Sequence, residues 1–407
     1  MVEVHQLALI SGYTIFSCRL PRGVAMWLAV IGIVISVALV GSFIVDWQRM
    51  RRIPRLSPPN LPSDPPFVSI LIPARNEERG IARCVRGALA QRYPHFEVIV
   101  VDDGSTDQTP TILADLAAAD SRLHPIAGKP LPPGWVGKCH ACQQASSVAK
   151  GEWLLFLDAD TAPAPDLTAA LLCYALATNG DMVTIFPFLE LETWAEQLVL
   201  PPFVALIVSI FPFERLSQPD VRPEEVLANG QCIFVRRAAY DAVGGHSAVR
   251  GEVLEDVRLG QTLRAAGFTV RGAIGLEYLR VRMYTNAAEV VEGLMKNASA
   301  GSRSGGWRSL FAMTMLLAQA YAPLLLMITG WSLSGWAGSV VFLAGLLAWL
   351  AGLLFWGMLY RRFYHLNPLY ALLWPIGLLL YLLIAGYGIL RVQLGRGVTW
   401  KGRRYAG

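Results

Sequence analysis

Charge is scarce in this chain. Asp, Glu, Lys and Arg make up 16% of its 407 residues against 54% hydrophobic, and residues 23–45, 309–360 and 366–390 hold no charged side chain at all. Uncharged apolar stretches of about 18 residues or more mark membrane-spanning helices. They exclude an ordinary soluble protein, and the second stretch is too long for one span. Cysteine is scarce too: six in a chain of this length do not make a disulfide framework. A GxxxxGK(S/T) loop is missing, which excludes a P-loop phosphotransferase. No DNA-binding or RNA-binding motif and no repeat of solenoid length is present.

The net charge of +5 is explained by where the basic residues lie. They gather at the ends of the apolar runs: Arg49, Arg51, Arg52 and Arg55, then Arg361 and Arg362, then Arg396, Lys401, Arg403 and Arg404. This is the positive-inside pattern of a protein anchored in a bilayer with an anionic cytoplasmic face. The bilayer is therefore an expected partner and nucleic acid is not. Four arginines follow the first run against two before it (Arg19 and Arg22), so the segment after it is expected in the cytoplasm, behind an uncleaved signal anchor.

The expected organisation is an N-terminal tail (1–22), a transmembrane anchor (23–45) and a basic, proline-rich linker (46–66). A soluble domain (67–308) follows, then a C-terminal membrane region of two to three helices (309–390) and a basic tail (391–407). Six prolines within residues 54–66 predict an extended spacer. From residue 67 the pattern alternates. Residues 68–72, 97–101 and 153–157 read as strands, and 78–91 and 109–119 have helical spacing. Such alternation predicts an α/β domain with a mainly parallel sheet, whose ligands bind beyond the carboxyl ends of the strands. Residues 194–213 are apolar but short and carry Pro201, Pro202 and Pro212. They predict a buried or interfacial helix rather than a span.

Three carboxylate clusters fall near predicted strand ends: Asp102, Asp103 and Asp107; Asp158 and Asp160; Glu255 and Asp256. Any one of them is compatible with a helix cap or a turn. Together they fit a diphosphate leaving group, because Mg²⁺ takes one or two carboxylates plus phosphate oxygens. A further carboxylate can deprotonate an attacking hydroxyl. Cys139-His140-Ala141-Cys142 has the spacing of a redox pair or half a zinc site, but nothing nearby completes a tetrahedral set. Small, partly buried cysteines are expected there.

Pro73-Ala74-Arg75-Asn76-Glu77, the run from Val101 to Asp107, Asp158-Ala159-Asp160 and Leu254-Glu255-Asp256 stand in an order and at spacings that resemble the membrane-bound family 2 glycosyltransferases of GT-A fold. The resemblance covers residues 66–284. It implies a Rossmann-like α/β cytoplasmic domain joined to α-helical transmembrane segments. It also implies a UDP- or GDP-sugar donor, a Mg²⁺ or Mn²⁺ ion, and direct displacement with inversion. Pro73, Arg75, Glu77, Asp102 and Asp103 would line the nucleotide. Asp160 would be the principal metal ligand, with Asp158 beside the metal, the donor sugar and the diphosphate. Asp256 would deprotonate the acceptor, oriented by Glu255.

The run from Pro132 to Lys138, Arg282-Met283-Tyr284 and the tail from Gly395 to Tyr405 look like the subset that glycosylates carotenoids or accompanies hopanoid synthesis. Lys138 is then a donor contact, or else a solvated lysine after a glycine turn. Arg280 and Arg282 alternate along a strand, to grip phosphate or to face water; the resemblance favours Arg282 in the donor site. Asn229-Gly230-Gln231 is placed on the acceptor side. The Gln-x-x-Arg-Trp motif of processive synthases is not matched by the stretch ending in Trp307 and Arg308, so a single transfer is expected. The expected acceptor is a lipid hydroxyl, a carotenoid first and a polyprenyl phosphate or hopanoid otherwise. A lipid transporter is disfavoured by the uncharged C-terminal runs. A third C-terminal crossing would export the basic tail, so either residues 366–390 re-enter near Pro375 or a run is miscounted; a tail on the catalytic side is preferred.

Overall fold

Backbone hydrogen bonds satisfied within one segment are what an apolar chain needs in a bilayer, and the first uncharged run forms a single long helix. The computed structural model describes residues 3–6, 16–19, 21–216, 218, 220–304, 306–400 and 403–405. Lys401 of the predicted basic tail lies outside them. Strands β1 (Glu3–Gln6) and β2 (Phe16–Arg19) pair antiparallel. Helix α1 (Arg22–Arg52) continues past the predicted end at residue 45 through the basic residues to Arg52.

The α/β elements follow. They are β3 (Val68–Ala74), α2 (Ile81–Leu89), β4 (Phe96–Asp102), α3 (Thr109–Ala119), β5 (Leu123–Ala127), α4 (Gly137–Val148), β6 (Trp153–Leu157), β7 (Thr161–Pro163), α5 (Leu167–Ala177), β8 (Met182–Phe186) and β9 (Phe188–Leu189). After α6 (Trp194–Ile210) come β10 (Cys232–Arg236), the short helices α7 (Arg237–Ala242) and α8 (Gly245–Ala248), α9 (Glu255–Ala265), β11 (Val270–Ile274), β12 (Leu279–Val281) and α10 (Ala287–Ser304). The chain ends in α11 (Gly306–Ser332), α12 (Trp336–Phe363), α13 (Trp374–Gln393) and the hairpin β13 (Val398–Trp400) and β14 (Arg403–Tyr405).

Seven strands form one sheet in the order β11-β8-β10-β6-β3-β4-β5. It is parallel except for β10, which runs against both β6 and β8. The mainly parallel sheet expected from the alternation is present. Its two-faced burial explains the near-continuous apolar strands: Val68, Ile70, Leu71 and Ile72 in β3 and Val98, Val100 and Val101 in β4 are fully buried. A three-stranded sheet, β7-β12-β9, completes the domain.

Two compact units result. One takes residues 1–51, 197–210 and 305–383, the other residues 52–196, 211–304 and 384–407. The proline-rich segment is no free spacer. Ile274 N–H donates to the Pro54 carbonyl (2.7 Å) and Leu56 N–H to that of Ile274 (3.1 Å), so residues 54–56 are bonded to β11 and Leu56 is buried. Helix α2 starts at Ile81 rather than 78, and the Glu78 N–H before it donates to the Asp107 carboxylate. The C-terminal hairpin groups with the sheet's unit, where β13 packs on α10.

In the other unit, α11 and α12 form the expected hairpin, turning between Ser332 and Trp336. Small residues let them approach backbone to backbone: a Cβ on Gly345 would fall 2.7 Å from the Pro323 carbonyl. Helix α1 runs parallel to α12, Gly32 beside Val341 and Phe43 beside Gly352 and Phe355. Among the described residues, four helices (α1, α11, α12 and α13) are long and apolar enough to cross a membrane. The third predicted run is not helical from its start. Its first residues form a 3-10 turn, Pro368–Leu372, capped by Asn367. Trp374 then stacks on Trp356 (4.7 Å) and the Tyr321 hydroxyl donates to the Pro375 carbonyl (2.8 Å).

Candidate active site

Strand register decides which residues meet. Ala74 pairs with Asp102 and Leu71 with Phe156, so residues 73–77, 102–107 and 158–160 leave the sheet at one edge. The chain builds β3, β4 and β5 outward and then crosses back to lay β6 on the other side of β3. That reversal makes the crevice in which open α/β sheets bind ligands. Because β10 is antiparallel to β6, with Cys232 opposite Leu157, its leading residues Asn229, Gly230 and Gln231 arrive at the same edge.

On the β3–β4 side, two loops are laced together. Arg75 donates from Nη1 to the carbonyls of Asp103 and Gly104, the latter at 3.1 Å. Asn76, at φ +51°, accepts from Thr106 N–H on its side-chain oxygen (2.8 Å) and donates its own N–H to Ser105 Oγ (2.9 Å). Glu77 N–H reaches Thr109 Oγ1 (2.9 Å), and Asp102 Oδ1 accepts from Ser105 N–H (3.2 Å). Asp103 is buried. Pro73, Arg75, Glu77, Asp102 and Asp103 thus come together, and the Ser105–Asp107 stretch serves the turn as well.

Lys138 is at the centre of the other side. It lies in the first turn of α4, where a cation opposes the helix dipole. The carboxylates compensate: its ammonium is 2.7 Å from Asp158 Oδ1 and 2.8 Å from Glu255 Oε1. Burial works against the charged lysine, but Asp158, Glu255 and Asp256 outweigh it and hold its pKa well above the ordinary value. The lysine is neither simply solvated nor free in a donor pocket. Glu255 and Asp256 open α9, where the helix N-terminus favours carboxylates. Asp256 Oδ2 accepts from Gly230 N–H (2.6 Å) and Oδ1 from Val257 N–H (2.8 Å). Burial and the neighbouring Glu255 push the Asp256 pKa up to about 7, against Lys138 and these two donors.

Gly230 is required by this crowding. A Cβ there would fall 2.8 Å from Lys138 Nζ and 2.9 Å from Asp256 Oδ2. Gly230→Ala is therefore expected to lower turnover about 100-fold, the scale of an ångström-sized displacement of reacting groups. Steady-state kinetics beside a thermal melt of the same sample check this, with the melting temperature little changed.

Arg280 is exposed to water and Arg282 half-buried, and both have carboxylate neighbours. Arg280 approaches Glu190 (3.6 Å) and Arg282 reaches Glu192 (2.6 Å), while Arg282 N–H donates to the Asp160 carbonyl (3.3 Å). Glu196, fully buried, caps α6 through the Thr193-x-x-Glu196 box and lies 3.8 Å from Arg282 Nε. That box was legible in the sequence and went unused. Cys139 and Cys142 are buried free thiols, and burial pushes both pKa values well up.

Residues 69–244 match the family model of Glycosyl transferase family 2. The chain carries a family 2 glycosyltransferase domain. Two curated relatives, each a 4,4'-diaponeurosporenoate glycosyltransferase, match beyond it. The protein of Staphylococcus haemolyticus is 26% identical over 240 residues, 58% of this chain and 62% of its own length. That of Staphylococcus aureus strain MRSA252 is 28% identical over 262 residues, 63% and 68%. Among solved structures, a mannosyltransferase of Pyrobaculum calidifontis, in complex with GDP-Man and Mn²⁺, aligns at TM-score 0.53 and 20% identity, covering 89% of this chain and 99% of that one. It shares the GT-A fold of the glycosyltransferase domain. Lys138, Asp158 and Gly230 lie within the matched segment, and Glu255 and Asp256 beyond it.

Proposed function

We propose that this chain is an inverting, non-processive hexosyltransferase that moves a sugar from a UDP- or GDP-sugar to the hydroxyl of a membrane lipid of carotenoid type. The observation that carries this is the placement of Asp256. It is held by two backbone N–H groups in a knot of side chains that also contains Asp158, from the strand edge where a nucleotide sugar would lie. A carboxylate so placed can take the proton of an acceptor hydroxyl while the diphosphate leaves on the opposite side. The names of the staphylococcal relatives support a carotenoid acceptor.

The donor set suits a divalent cation that takes its remaining ligands from the diphosphate. Asp158 and Asp160 offer hard oxygen donors, and among the described residues no group of three or more His, Cys, Asp and Glu could hold a metal ion by itself. Asp160 would carry the ion, since Asp158 is held by Lys138. Bound there, the ion would neutralise charge on the departing diphosphate.

We place the catalytic unit on the cytoplasmic face. Because α1 and α12 run parallel, Arg49 and Arg51 fall at the same end as Arg361 and Arg362. The tail, which packs on α10 within the same unit as the sheet, then belongs on the catalytic side.

Mass spectrometry of membrane lipids from cells with and without the chain tests the function. A hexosylated carotenoid that survives mild alkali is expected, as a glycoside on a hydroxyl would. A product cleaved by mild alkali is an ester, whose acceptor oxygen arrives already ionised and needs no base. A hexosylated polyprenyl phosphate or hopanoid would replace the carotenoid assignment.

A further inference from the structure

We propose that Lys138 is a positioning residue: its ammonium fastens the acceptor-side pair Glu255 and Asp256 to the donor-side Asp158 and so sets the distance between base and departing diphosphate. The proposal rests on the glycosyl-transfer reading above and assigns the lysine a role other than gripping the donor. The two carboxylates it bonds come from different parts of the chain, Asp158 from the end of β6 and Glu255 from the start of α9. A side chain bonded to both makes their separation a property of its own geometry.

The mounting of the lysine supports this role. Its helix is fixed to the segment that leads into α9. Val136 N–H donates to the Arg250 carbonyl (2.6 Å), and the Cys139 thiol lies 3.5 Å from the Val249 carbonyl and 3.6 Å from that of Glu252. This gives Cys139 a use that is neither redox nor zinc. Further along α4, Ser146 Oγ meets the Tyr240 hydroxyl (3.2 Å), which bonds His246 Nδ1 (2.8 Å), all three buried. Burial lowers the His246 pKa to about 3 and Lys138 adds to the effect, so that contact is between neutral groups at physiological pH. Above the lysine, Gly230 leaves no room for a side chain. A residue that only gripped a mobile diphosphate would need slack; Lys138 has fixed partners on each side.

Lys138→Met keeps the length and removes the charge, and Lys138→Arg restores a cation able to bond two carboxylates. The full-length chain in detergent is assayed with UDP-glucose and with GDP-mannose against carotenoid-containing vesicles. For Lys138→Met, kcat is expected to fall about 100-fold while donor KM stays within about threefold, the split that marks loss of transition-state rather than uniform binding. Lys138→Arg is expected to recover about tenfold of that loss. A Met variant with raised donor KM and wild-type kcat overturns the proposal in favour of a donor contact. Loss that tracks a lowered melting temperature and vanishes at a lower assay temperature overturns it in favour of a purely structural role. A wild-type chain that transfers neither sugar overturns the transfer reading and this role with it, whereas a Met variant as fast as wild type overturns the role alone.

Discussion

Asp256→Asn is expected to lower sugar transfer by about 100- to 10,000-fold, the range a positioned general base supplies, while binding of the nucleotide sugar persists. The substitution keeps the size of the side chain but removes its capacity to accept a proton. It also turns an amide NH₂ toward one of two backbone donors, since Gly230 N–H and Val257 N–H are bonded to different oxygens of the carboxylate and only one oxygen remains. The wild-type pH profile carries the same assignment. With Asp256 titrating at about 7 through burial and Glu255, the ionised base is present above that pH and lost below it. Turnover on a hydroxyl acceptor should rise with pH to a plateau above about 7. Stability runs the other way: a carboxyl whose pKa is raised in the fold stabilises it below the ordinary carboxylate range and loses that contribution as pH rises through about 7. Rate–pH curves and nucleotide-binding isotherms on both chains are the measurements. Unchanged turnover in the variant would falsify the base assignment.

Chelation should come close in size. EDTA is expected to suppress transfer, Mn²⁺ or Mg²⁺ to restore it, and Asp160→Asn to cost on the order of a thousandfold. Lewis-acid stabilisation of a leaving group is worth several kcal/mol, and each 1.36 kcal/mol is a factor of ten. Asp158→Asn is expected to differ in kind, because it also releases Lys138 from one of its carboxylates. Its loss should remain when metal is raised, whereas a weakened Asp160 site should respond to excess Mn²⁺. Titration of activity against metal for the two variants separates the cases, and full activity after exhaustive chelation would remove Asp160 from this role.

The strands and their ligand edge were legible because a buried parallel sheet writes itself as apolar runs ending in polar turns, as at Ile72-Pro73 and Val101-Asp102. The two loops around Arg75 and Asp103 were legible for the same reason: both leave neighbouring strands. The Lys138 knot was not. Its members are separated by long stretches of chain and meet only because α4 and α9 are bonded together near Val136 and Arg250, a long-range contact without periodicity. The antiparallel β10 was also hidden, since a single strand reads alike in either direction, yet its reversal is what delivers Gly230 to Asp256. The proline-rich segment was read as a spacer from composition, and composition does not reveal a partner such as Ile274.

That segment bears on how the sheet treats other chains. An exposed outer strand is a template for pairing, and this sheet has two, β11 and β5. At one, the Pro54 carbonyl and the Leu56 N–H take up both backbone groups of Ile274, the last residue of β11. At the other, Pro125 sits inside β5, where it interrupts the row of donors that an incoming strand would need. One margin thus spends the backbone groups of its last residue on its own chain and the other lacks a donor in mid-strand, so each offers a second copy of the protein less than a full ladder.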